Sequence, residues 1–141
     1  MVQVNFYSLS SKTPESRQHF ACRLAEKAFS LGHQIYIQTD SEEQARSLDD
    51  LMWQFNPASF VPHALHKADQ VGSVAVLIAD KPPSPSHTDV LINLATSPCE
   101  AHAQFSRINE IITSDEESLQ QGRSRYRYYK DQGYAPETFK L

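Results

Sequence analysis

Between Arg123 and Lys130 the chain reads Arg-Ser-Arg-Tyr-Arg-Tyr-Tyr-Lys, four positive charges without an acid. The 141 residues carry a formal charge of −4, which leaves −8 by subtraction on the remainder. This is a positive island on an acidic background. If the segment is helical, Arg123, Arg127 and Lys130, spaced four and three, share one face. Tyr126 flanks that face, and Tyr134 and Phe139 follow it. Guanidinium groups beside an aromatic cleft suit a peptide that carries carboxylates and an apolar residue. The same Arg and Tyr face could instead stack and neutralise single-stranded nucleic acid. A solvated helix end is the plain alternative to both, since exposed charges often contribute little.

Other residue types capable of chemistry lack the spacing for it. Ser10, Ser11 and Thr13 precede a helix and could hold a phosphate, but cap and turn duty is commoner for them. The four glycines, Gly32, Gly72, Gly122 and Gly133, all fall outside the first strand-to-helix connection. Neither a dinucleotide fingerprint nor a Walker loop can be built there. His63 and His66 straddle an expected loop with no adjoining acid or cysteine, which is weak as a metal site. Cys22 and Cys99, 77 positions apart, read as packing residues. No Gly-x-Ser-x-Gly elbow occurs, so no cofactor, metal or catalytic group is expected.

Two large aromatics form a second candidate site. On a helical wheel, Ala45, Leu51, Met52 and Phe55 fall within about 60° of Leu48, while Trp53 lies about 140° away. The core stripe does not claim the tryptophan. Asn56-Pro57 ends the helix, and Phe60-Val61-Pro62 must run extended. Trp53 can fold under a neighbouring loop, or it can anchor another protein together with Phe60.

The elements that position these residues read as one domain over 1–141. Val2 to Leu9 reads as a strand, and Thr13 or Ser11 caps a helix beginning near Pro14 and stopped by Gly32. His33 to Thr39 is a second strand, and Ser41-Glu42-Glu43-Gln44 opens the second helix as a capping box. Val74 to Ala79, almost wholly apolar, belongs in the centre of a sheet. Residues 66–73 read as a polar loop, and the Pro-rich segment from Asp80 to His87 as a stiff connection. Val90 to Leu94 is the next strand, Pro98 to Gln104 a short helix at most, and Ser106 to Thr113 the last strand. Asp115-Glu116-Glu117 starts the final helix, which Gly133 ends. The order implies a Rossmann-like, three-layer α/β/α fold with a mainly parallel sheet and no glycine-rich nucleotide loop. No apolar run approaches the roughly 20 residues of a membrane span, and no secretory signal is visible. The expected location is the cytoplasm.

Taken together, Asn5-Phe6-Tyr7, Leu48-Asp49-Asp50-Leu51-Met52-Trp53, Ser59-Phe60-Val61-Pro62-His63, Asp89-Val90-Leu91-Ile92-Asn93-Leu94, Arg123-Ser124-Arg125-Tyr126-Arg127-Tyr128-Tyr129 and Gly133-Tyr134 give a resemblance over essentially the whole chain. The sequence resembles the chi subunit of the bacterial DNA polymerase III holoenzyme. The resemblance implies a Rossmann-like fold without nucleotide binding and a non-enzymatic role in the clamp-loader assembly. It implies two partners, the psi subunit and the acidic C-terminal tail of single-stranded-DNA-binding protein, so that nucleic acid is met only indirectly. By motif match Trp53 and Phe60 would face psi, or a helicase competing for that surface. Arg123 would receive the tail, surrounded by Tyr126, Arg127, Lys130 and Thr138. The match departs from the family pattern at Gln120, where a lysine is usual.

Overall fold

The computed structural model describes residues 2–55, 63–65, 75–80 and 89–141. Among the described residues, seven strands form one sheet in the order β3-β4-β2-β5-β6-β1-β7, and each of their pairings is parallel. The elements are β1 (Gln3–Ser8), α1 (Pro14–Ser30), β2 (Ile35–Gln38), α2 (Glu42–Phe55), β3 (His63–Leu65), β4 (Val76–Ala79), β5 (Val90–Asn93), β6 (Arg107–Ile112), α3 (Glu116–Asp131) and β7 (Glu137–Lys140), with a 3-10 turn at His102–Gln104.

Local chemistry explains the helix bounds. Thr13 caps α1, its side chain accepting from the Ser16 amide, and Pro14 occupies the first turn, where its missing N–H costs nothing. Gly32 follows at φ +86° and Gly133 follows α3 at φ +92°, a backbone region open to glycine. Ser41 Oγ accepts from the Gln44 amide at 3.1 Å, while the Gln44 side chain reaches one residue further back, to the Asp40 amide at 2.7 Å. The capping box is therefore present but shifted by one position.

The central strands β2, β4 and β5 are buried on both faces, as their alternate residues show. Ile35, Ile37, Val76, Ile78, Val90 and Ile92 pack with Ala21, Cys22 and Ala25 of α1 and Ala45 and Leu48 of α2. Tyr36, Leu77, Ala79 and Leu91 face the other way, toward Phe105, Tyr129 and the partly buried Tyr126 of α3. This is the three-layer α/β/α arrangement expected. Cys22 and Cys99 are both buried free thiols, and burial pushes the Cys22 thiol up to about 12.

Three sequence expectations need correction. β6 is not the last strand, because β7 follows α3 and pairs with β1. His63 does not lie in a loop but opens β3, which pairs with β4. β4 is an interior strand, yet it sits one place from the β3 edge rather than at the centre. The polar loop at 66–73, the Pro-rich segment after Asp80, Phe60 and His66 lie outside the described residues.

Candidate partner-binding site

The last helix owes its orientation to one buried charge. Asp115 caps α3 by accepting from the Ser118 amide. Gly122, Arg125 and Tyr129 are its buried face. Arg125 is only 1% exposed; its Nε donates to Glu110 Oε1 at 2.7 Å and a terminal nitrogen donates to the Thr96 carbonyl at 3.1 Å. The Tyr129 hydroxyl and Asn93 Nδ2 donate to Glu110 Oε2 at 2.7 and 2.8 Å. Proximity to Glu110 adds to burial in holding the Tyr129 phenol far above its ordinary range. The helix also lies so close to β6 that a Cβ at Gly122 would stand 2.5 Å from Ile112 Cδ1.

With those residues turned inward, Arg123, Arg127 and Lys130 are turned out and are all exposed. Among the described residues none of the three takes part in a salt bridge. At about 100° per residue they occupy a sector of roughly 60°. The basic island is thus three surface cations, and its fourth charge, Arg125, belongs to the core.

Tyr126 lies between these cations and the edge of the sheet. Its ring is 5.3 Å from that of Phe6, its hydroxyl comes within 3.5 Å of the Pro136 carbonyl, and Lys130 Nζ stands 5.9 Å from its centroid. Thr138 is paired with Phe6 in the β1–β7 register, so it shares the α3 face of the sheet and is exposed there. Lys130, Tyr126 and Thr138 therefore converge. Arg123 borders a surface pocket of about 540 Å³, with Lys12, Ser114, Asp115, Glu116, Leu119 and Gln120 as the other walls.

The aromatic cleft expected around the cations is only partly formed. Phe139 stacks on Tyr7, 5.5 Å between centroids, and Tyr7 meets Phe20 of α1, which places Phe139 on the opposite face of the sheet. The Tyr134 hydroxyl lies 2.6 Å from His102 Nδ1, on the flank of α3 away from β7. Leu119, seven residues before Tyr126 and partly buried, supplies apolar surface on the cationic flank instead.

The other candidate site is at the far side of the sheet. Leu48 and Ala45 are buried, and Trp53, which the helical wheel places off their stripe, is 55% exposed. The helix carrying Trp53 packs on β3 and β4, whereas Thr138 is on β7. Six strand intervals at about 4.8 Å separate the two edges, roughly 29 Å.

A family model described as DNA polymerase III chi subunit, HolC, matches residues 1–137. The chain belongs to the DNA polymerase III chi subunit family. It is 36% identical over 141 residues to the DNA polymerase III subunit chi of Pseudomonas aeruginosa, covering 100% of this chain and 98% of that protein. It is 29% identical to the protein of the same name from Escherichia coli K12, over 98% of this chain and 97% of that one. A third, from Haemophilus influenzae, is 29% identical over 94% of this chain and 93% of its own length.

In this chi-family chain the crevice where doubly wound folds bind nucleotides is built differently. Beyond the carboxyl ends of β5 and β6, Arg17 donates from Nε to the Ile111 carbonyl at 2.8 Å and from a terminal nitrogen to the Leu94 carbonyl at 2.9 Å. Burial, with Arg125 nearby as the next cause, lowers the Arg17 pKa to about 10. The adjoining pocket of about 530 Å³ has Asp40, Asp80 and Glu100 on its walls. Three carboxylates there repel a phosphate.

Proposed function

We propose that this chi-family chain is a non-catalytic accessory subunit of the DNA polymerase III clamp-loader complex in DNA replication. It couples the psi subunit, at the Trp53 and Phe60 surface, to the acidic C-terminal tail of single-stranded-DNA-binding protein, at Arg123, Tyr126, Arg127, Lys130 and Thr138. The observation that carries the reading is the cationic face itself: three exposed cations free of salt bridges among the described residues, with a tyrosine ring beside them. Such a face attracts carboxylates, and the apolar flank of Leu119 and Tyr126 gives a terminal aromatic ring a place to rest.

The expected strength follows from few contacts. Charge-assisted hydrogen bonds contribute about 1.5–3 kcal/mol each, and ordering a tail of several residues offsets much of that. A grip near −8 kcal/mol, about micromolar, results. It weakens with added salt, which screens exposed charges.

Titration of an acidic peptide ending in Phe, beside an oligonucleotide of similar charge, tests the reading. The peptide should bind and Arg123→Ala should weaken it about tenfold or more. Tighter binding of the oligonucleotide would favour a nucleic-acid module on the same face, and an unchanged peptide affinity in Arg123→Ala would remove the site assignment.

A further inference from the structure

The cationic face borders a sheet edge that is left open. β7 pairs only with β1 among the described residues, and all four of its residues are exposed. The register pairs Ser8 with Lys140, and the Leu141 amide donates to the Ser8 carbonyl at 2.9 Å. In a parallel ladder the peptide groups of alternate residues point the same way. Those of Phe139 and the amide of Leu141 therefore turn toward β1, and the N–H and C=O of Thr138 and Lys140 turn outward.

The cations run alongside this edge. β7 follows α3 and rises where the helix descended, so Lys130 lies near the start of the strand and Arg123 near its end. Seven helical residues span about 10.5 Å, and the three steps from Glu137 to Lys140 span about 10 Å. Lys140 adds a fourth positive charge in the strand itself, against one acid, Glu137. An extended chain laid along β7 would pass Lys140 in the strand and run beside the flank of α3 that carries Arg123 and Lys130.

We propose that an acidic peptide docks on this chain by adding an eighth strand to β7, its backbone pairing with Thr138 and Lys140 while its carboxylates face Arg123 and Lys130. This rests on the proposed recognition of an acidic tail and specifies how that tail is held. The backbone supplies affinity with little regard to side chains, and the cations select for acidity.

The test is an N-methyl scan of an acidic peptide ending in Phe, one backbone amide at a time, read by titration calorimetry against the full chain. Strand addition predicts five- to tenfold losses at every second residue and little change between. On the protein, Thr138→Pro removes an outward N–H while leaving the β1–β7 bonds formed by Phe139 and Leu141, and should bind the peptide at least fivefold more weakly than Thr138→Val, which lacks the same hydroxyl but keeps the N–H. A scan without alternation overturns the proposal even if Thr138→Pro fails to fold. If Arg123→Ala still weakens binding about tenfold in that case, tail recognition stands and only the mode falls. Concentration-dependent dimerisation blocked by Thr138→Pro would show that a second copy claims the edge, and would overturn the proposal as well.

Discussion

Arg125 and Arg123 are two residues apart in one basic run, and their substitutions should have opposite consequences. Arg125→Met keeps an unbranched apolar stem and deletes the charged guanidinium group that reaches Glu110 and Thr96. Glu110, fully buried, would keep the Tyr129 and Asn93 bonds on Oε2 but lose its partner on Oε1. The Thr96 carbonyl would lose a donor too. Breaking one side of a buried pair costs about 3–5 kcal/mol, a large share of the 5–15 kcal/mol typical of a domain. Urea unfolding followed by circular dichroism measures it: the midpoint should fall sharply at unchanged slope. The double variant Arg125→Met with Glu110→Gln should recover much of the loss, because two neutral side chains fill the site without an uncompensated charge. Arg123→Ala should stay within about 0.5 kcal/mol of the parent. A loss below about 1 kcal/mol for Arg125→Met, or strict additivity with Glu110→Gln, would refute the assignment of this arginine to the core.

Gly122→Ala gains about 1 kcal/mol of helix propensity, but the new methyl would meet Ile112; overpacking costs 1–3 kcal/mol, so a net loss in urea stability is expected, smaller in an Ile112→Val background. Trp53→Ala should abolish capture of psi in a pull-down while leaving peptide titration unchanged, and loss of both would instead indicate unfolding. Burial lowers the His102 pKa, so below about pH 6.5 the unfolded chain takes up a proton that the fold resists. Stability should decline as pH falls through that window and should decline less in His102→Gln.

Much of this arrangement is legible in the sequence because the relevant signals are periodic. The Thr13-Pro14 cap, the glycines at 32 and 133 and the position of Trp53 off the Leu48 stripe each follow from local rules. Arg125 is harder, since Arg-Ser-Arg-Tyr-Arg reads as uniformly basic. Two clues were available: on a helical wheel Arg125 lies within about 60° of Gly122 and Tyr129, and Glu110 stands alone among the isoleucines of β6, where a buried acid needs a partner. β7 is hidden for another reason. Glu137-Thr138-Phe139-Lys140 buries neither face, so it lacks the alternation that marks a half-buried strand. The same pleat sends Phe139 away from the cations, which no helix-based count could reveal. β3, only three residues long beside Pro62, carries too short a pattern to distinguish from loop.

The two candidate surfaces lie at opposite margins of a sheet packed on both sides. Among the described residues the two surfaces share no residue, so the linkage between them should be close to zero. Under the proposed coupling, what such a spacer would provide is proximity. Once one partner is held, the other is confined to a small volume, and its effective concentration follows from the reach of its tether rather than from its abundance. A flexible acidic tail could then detach and rebind many times while the assembly stays together.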